Sequence, residues 1–193
     1  MKKLRDSNWS EVFADWTSRE ATNPGWIKTA TEIKGWPDWT SWRTFTATQL
    51  RLADRAWALY ELSEPATEIP AMFIGPYSGW QARVTKKNET TFADLLADPA
   101  QKSEWSARAD IRKMSESFTA PTTMIGLRKP DGRIVLLEGH HRAVAFALAA
   151  AECRTPASSN VRMYLAELQD NEPDLLDQVL ARGSTKEPPA ATR

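Results

Sequence analysis

The sequence holds only two histidines, and they are adjacent, His140 and His141. They lie within Glu138-Gly139-His140-His141-Arg142, after the apolar run 134–137 and before an alanine-rich run that reaches Ala151. These residue types suit an anionic ligand. The free N–H groups of a helix start, with the positive end of the helix dipole behind them, form an anion site. A glycine lets the backbone approach the ligand closely. Arg142 offers a bidentate fork to a phosphate, and an imidazole supplies a donor, or an acid or base near neutral pH. Gly139, His140, His141 and Arg142 are therefore the candidate phosphate- or nucleotide-binding set. Glu138, His140 and His141 are candidate catalytic groups, with Glu138 also a candidate Mg²⁺ ligand. The competing reading is an ordinary helix that starts with polar residues because helix starts are exposed. The pattern lacks the glycines and lysine of a P-loop and is not a dinucleotide-binding fingerprint.

Such a turn needs a strand before it and a buried helix after it. Residues 123–128 and 133–137 read as two strands joined by Lys129-Pro130-Asp131-Gly132, a strong hairpin signal. Residues 139–151 are apolar on nearly every side, which marks a buried helix. After a loop at 155–160, residues 161–168 alternate well enough for a strand, and 173–180 read as a last helix. Upstream, 69–74 and 79–84 read as extended pieces, 90–96 as a short helix and 103–118 as a longer one. The loop Gly75-Pro76-Tyr77-Ser78-Gly79-Trp80-Gln81-Ala82-Arg83 reads first as a turn. Its sharper reading has Tyr77 or Trp80 stacking on a ligand and Arg83 neutralising phosphate.

The N-terminal part has a different texture. Six of the nine tryptophans fall between Trp9 and Trp42. Trp9, Val12, Phe13 and Trp16 keep helical spacing behind a Ser7 or Asn8 cap. Asn23-Pro24-Gly25 reads as a turn, Trp26 to Ile33 as a short helix closed by Gly35, and 37–62 as a long third helix. Residues 7–63 are thus expected to be all-helical, with the indole rings serving as core more than as a stacking surface.

Composition narrows the function classes. The 193 residues carry 25 basic and 25 acidic side chains. That balance argues against a protein that grips duplex DNA through many phosphates. No apolar window approaches the roughly 18 residues of a membrane span, and no apolar run follows the basic start, so neither a membrane anchor nor a secretory signal is expected. The only cysteine, Cys153, permits no internal disulfide and fits a reducing, cytoplasmic location.

The order of helix 103–118, the hairpin, Glu138-Gly139-His140-His141-Arg142, the alanine-rich helix and strand 161–168 resembles the ParB/sulfiredoxin superfamily. The resemblance covers about residues 111–168, less than half the chain. It implies that the turn holds the phosphates of ATP or ADP, with CTP as a further option, alongside Mg²⁺. That superfamily includes chromosome-partitioning CTPases, sulfinic-acid reductases and free-serine kinases. Sulfiredoxins place a catalytic cysteine in the turn. Here His140 stands in its place and Cys153 lies beyond the helix, so reductase chemistry is not expected, and His140 becomes the expected ligand-facing histidine. Partitioning proteins carry a more basic turn, with a helical DNA-binding part after it rather than before. The acid-Gly-His-His-Arg turn is closest to the serine-kinase-like branch. That branch also uses an upstream glutamate, for which Glu104, Asp110 and Glu116 are candidates.

The expected protein is α+β: a small mixed sheet with a buried motif helix, preceded by a Trp-rich helical region. The division is 1–63 helical region, 64–182 nucleotide-binding domain and 183–193 flexible tail. The expected activity is nucleotide binding, in a small phosphotransferase or nucleotide hydrolase acting on a small-molecule or protein acceptor. The alternative is a non-catalytic nucleotide switch or protein-binding module.

Overall fold

The structure, a computed structural model, describes residues 1–116, 122–154, 160–172 and 174–186. It is α+β, built on one five-stranded mixed sheet of order β1-β2-β5-β3-β4. The strands are β1 (Lys2–Ser7), β2 (Trp57–Glu61), β3 (Thr122–Arg128), β4 (Ile134–Glu138) and β5 (Val161–Glu167). Every neighbouring pair is antiparallel except β3 and β5, which are parallel.

Both faces of the sheet are covered. Along β4, Val135 and Leu137 enter one core while Ile134 and Leu136 enter the other. β5 divides likewise, Tyr164 and Ala166 against Met163 and Leu165. Burial on both faces is why β4 reads as a continuous apolar run rather than an alternating one. The first core holds the Trp-rich layer: α1 (Trp9–Glu20), α3 (Trp39–Gln49) and the last helix α10 (Leu175–Arg182). Between α1 and α3 run α2 (Pro24–Lys28) and a π turn, Thr29–Ile33. The second core holds α4 (Pro65–Glu68), α6 (Phe92–Ala97), α7 (Pro99–Ala107), α8 (Ala109–Glu116) and the motif helix α9 (His140–Ala151). The short α5 (Ser78–Gln81) lies in the loop between α4 and α6. No helix among the described residues is long and apolar enough to cross a membrane.

Local signals place several elements as expected. The Asn8 side chain caps α1 by accepting from the Glu11 N–H, and the Trp9-Val12-Phe13-Trp16 stripe packs inward. The Asp131-Gly132 turn joins β3 to β4, with the Lys129 N–H donating to Arg133 O at 2.7 Å. α9 starts after Gly139, and β5 follows it.

Other expectations are corrected. The N-terminal part is not all helix, because β1 and β2 lie within it. The third helix ends at Gln49, Arg51 turns the chain at φ 52°, and a 3₁₀ turn over Leu52–Asp54 leads into β2. Arg55 fixes that turn by donating to Leu50 O and Glu167 O. Trp57-Ala58-Leu59-Tyr60 continues an apolar stripe that suits helix and strand alike. The sheet decides, because only an extended segment satisfies the free edge of β5. Residue 63 is thus no boundary in the sheet, since β2 pairs with β5 across it. Asn23-Pro24-Gly25 is the cap and first turn of α2, with Asn23 accepting from the Gly25 and Trp26 N–H groups. The helix expected over 103–118 breaks at Arg108, whose ψ of 119° leaves the helical range. Residues 79–84 start in α5 rather than extended, and within 69–74 only Phe73 makes β-bridges, to Thr91 and Val135. Residues 117–118 of the expected long helix, the 155–159 loop, Pro173 and the tail from 187 lie outside the described residues.

Because β5 pairs β2 on one side and β3 on the other, a fragment spanning 64–193 would expose an apolar sheet edge and half of the first core. We predict that this fragment fails to melt cooperatively by far-ultraviolet circular dichroism and elutes as aggregate on gel filtration. A monomer with a sharp thermal transition would contradict the single-sheet account.

Candidate functional site

The site forms at the carboxyl end of β4, where the two helical layers meet. Gly139 is the residue before α9 and takes the left-handed conformation, φ 106° and ψ 15°. A Cβ there would stand 2.9 Å from Met124 Cγ as well, so both backbone angle and space demand glycine. Among the described residues no side chain caps α9. The first N–H groups of the helix, those of His140, His141 and Arg142, therefore have no side-chain acceptor and carry the positive end of the helix dipole.

The loop before α5 is pinned against this turn. The Gly75 N–H donates to His140 Nε2 at 3.0 Å, the Tyr77 hydroxyl donates to Leu137 O at 2.9 Å, and Gln81 Nε2 donates to Ile74 O and Gly75 O. A Cβ at Gly75 would lie 2.3 Å from Leu136 O, so this approach also requires glycine. Since Nε2 of His140 accepts, its proton sits on Nδ1 and the ring is neutral. Burial, with His141 and Arg43 nearby, pushes its pKa well below the ordinary 6.5. His141 lies among Trp26, Trp80 and Trp105, with ring centroids 6.4, 5.4 and 5.9 Å away. Burial first, then Arg108, lowers its pKa to about 4. Both rings line the cavity, and His140, the expected ligand-facing histidine, is fixed there by the backbone N–H of Gly75.

Glu138 is 5% exposed and sits between two guanidiniums. Arg19 of α1 donates to Oε2 at 3.2 Å, and Arg142 of α9 pairs with Oε1. Arg142 also donates to Thr122 Oγ1 at 2.7 Å. Burial raises the carboxyl pKa, but Arg142 and Arg19 outweigh it and hold the group below its usual range. With both oxygens engaged, Glu138 does not fit as a Mg²⁺ ligand, because a metal would have to displace a guanidinium. Among the described residues no cluster of three or more His, Cys, Asp or Glu side chains could hold a metal. The donor set thus disagrees with the expected Mg²⁺ site.

The turn opens on a cavity of about 450 Å³. Its charged lining consists of Arg19, Lys34, Arg43 and Arg142 against Glu20 and Glu138, and Trp26, Trp42, Tyr77 and Trp80 supply aromatic walls. The Gly139-to-Arg142 turn forms part of this lining, as do Tyr77 and Trp80 of the upstream loop. Arg83 does not line it and instead pairs with Glu104 at 2.6 Å. The three candidates for the upstream glutamate are absent from the lining: Glu104 is on Arg83, Asp110 pairs with Arg108 at 2.6 Å, and Glu116 is exposed on α8. The carboxylate that does share the cavity with Glu138 is Glu20, whose pKa is raised by burial and by Glu138. Glu20, Arg19, Lys34 and Arg43 all come from the Trp-rich layer and escape a motif-centred reading.

Comparison of this chain with protein-family models, with curated proteins and with solved structures finds no match.

The neutral histidines generate a pH prediction. In the unfolded chain each binds a proton near 6.5, and in the folded chain it does not, so the unfolded state takes up more protons as pH falls. Stability is therefore full above pH 6.5 and declines below it, by about 1.4 kcal/mol per pH unit for each histidine. For His141 the decline runs to about pH 4. His140→Gln retains an acceptor for the Gly75 N–H and should flatten the decline. His140→Ala leaves that N–H unpaired and should cost about 2–4 kcal/mol at pH 7. Denaturant melts of the three proteins from pH 7.5 to 4 check this, and parallel curves for wild type and His140→Gln would contradict the buried neutral ring.

Proposed function

We propose that this protein binds a nucleotide in the cavity, ATP or ADP with CTP as the other candidate, in the manner implied by the resemblance to the ParB/sulfiredoxin superfamily. The observation that carries the reading is the uncapped start of α9 opening on a cavity with both cationic and aromatic walls. In this reading the phosphates meet the His140–Arg142 N–H groups and the guanidiniums of Arg142 and Arg19. The base lies against indole faces, and a neutral His140 supplies an N–H donor from Nδ1. Stacking on an aromatic face is worth about 1–3 kcal/mol for a base, and charge-assisted bonds to phosphate exceed neutral ones.

Binding draws more support than turnover. Phosphoryl transfer to a small-molecule or protein acceptor needs a positioned base and a metal or equivalent charge near the transferring group. Here Glu138 is occupied by two guanidiniums, and the basic nitrogen of His140 already accepts from the Gly75 N–H. A nucleotide-dependent binding module, with ligand occupancy linking the Trp-rich layer to α9, is the function we favour.

Saturating ADP, at about 100 times its dissociation constant, should stabilise the protein by about 2.7 kcal/mol. For a chain of this size that is roughly 5–10 °C in melting temperature. The shift should persist in chelator, and ADP should quench tryptophan emission. Arg142→Lys keeps a cation beside Glu138 but loses the fork, and should weaken binding about tenfold or more with the fold retained. Melting curves unmoved by ATP, ADP and CTP would overturn the proposal.

A further inference from the structure

The cavity contains a second cationic group, away from the motif turn in sequence and carried wholly by the Trp-rich layer. Arg43 of α3 is 7% exposed. Its guanidinium carbon lies 3.9 Å from the Trp42 ring centroid, 4.9 Å from Trp16 and 5.4 Å from Trp26. Rings over a guanidinium stabilise its charge but leave the in-plane N–H donors unanswered. The nearby carboxylate does little for them. Glu20 Oε2 stands 3.7 Å from Arg43 Nη2, beyond hydrogen-bond distance, and already accepts from Trp16 Nε1 at 2.8 Å. Arg43 Nε is buried with no hydrogen-bond partner among the described residues.

Lys34 adds to the imbalance. It follows the π turn, its N–H donating to Thr29 O at 3.0 Å, and it lines the same cavity. Its ammonium has no ion pair among the described residues, and both burial and Arg43 disfavour its charge. Four cations thus face one cavity with two carboxylates: Glu138, which Arg19 and Arg142 already engage, and Glu20, the one nearer Arg43, which is itself drawn toward the neutral form. A buried cation left short of partners is costly, and an entering oxyanion removes that cost.

We infer that Arg43 and Lys34 form a second oxyanion subsite in the cavity, built to take a phosphate or carboxylate group in the plane of the Arg43 guanidinium. The subsite stands on different residues from the nucleotide reading and survives that reading's failure. Its ligand group is a second anionic group of the bound molecule, or a small oxyanion bound beside it.

The test uses the full chain with inorganic phosphate and, separately, acetate, each against sodium chloride at matched ionic strength, read by thermal shift and calorimetry. Phosphate or acetate should stabilise the wild type beyond chloride, and which of them does so identifies the preferred group. Arg43→Met and Lys34→Met should each weaken that binding about tenfold. Unliganded Arg43→Met should melt at or above wild type, since it removes a poorly paired buried charge while keeping an apolar stem. Lys34 is less buried, so Lys34→Met keeps the test alive should Arg43→Met fail to fold. Equal oxyanion affinity in wild type and both variants would overturn the subsite, as would no oxyanion effect in the wild type. ADP binding separates the two claims. Loss of phosphate binding in the variants with no ADP effect on the wild type leaves the subsite standing and removes the nucleotide reading. ADP binding with phosphate affinity unchanged in both variants does the reverse.

Discussion

The carboxylate of Glu138 is the constraint around which the site is arranged. It closes β4, is almost fully buried, and is held by Arg19 from one helical layer and Arg142 from the other. A buried carboxylate is tolerated only when its oxygens are met by opposite charge and good hydrogen bonds. Meeting that requirement here forces α1 and α9, which cover opposite faces of the sheet, to converge at the end of β4. The cavity is the space left where they converge. Its charge follows from the same arrangement, because two guanidiniums share one carboxylate and the helix dipole of α9 adds to the excess.

The histidines are part of this construction. His140 ties the chain at Gly75 to the start of α9, and the two glycines make that approach possible, Gly75 by lacking a Cβ against Leu136 O and Gly139 by its left-handed backbone. His141 fills the seam between Trp26 of one layer and Trp80 and Trp105 of the other. A turn that looks like a set of reactive groups in the sequence is, in the fold, a rigid rim whose free donors are mostly backbone N–H groups.

What the sequence made legible was local. The hairpin, the buried helix after Gly139 and the strand at 161–167 each carry their signal within a few residues, through turn chemistry or periodicity. The motif turn and the loop at Tyr77 and Trp80 were readable for the same reason, and both line the cavity. The ends of elements set by tertiary context were not. Nothing in Arg51 announces a left-handed turn, and Trp57–Tyr60 fits a helical stripe until the edge of β5 claims it. Arg19, Glu20, Lys34 and Arg43 lie about a hundred residues from the turn they face, so no spacing rule connects them. The available signal was physical rather than periodic. Arg43 is a cation set among tryptophans that were themselves read as core, and a charge in such company needs a partner. The carboxylates chosen on α7 and α8 failed for the opposite reason, because each was selected for its closeness in sequence while its side chain faces solvent or a neighbouring arginine.

The central claim is that the start of α9 is an anion site open to a nucleotide-sized ligand. The most direct measurement is the amide nitrogen–proton correlation spectrum of the labelled full chain, titrated with ADP in the absence of added metal. The account predicts saturable shifts concentrated on the amides of His140, His141 and Arg142, with the indole N–H of Trp26, Trp42 or Trp80 moving in step. A spectrum in which those three amides stay fixed at saturating ADP, or shift no more than residues on the outer faces of the helices, would contradict it.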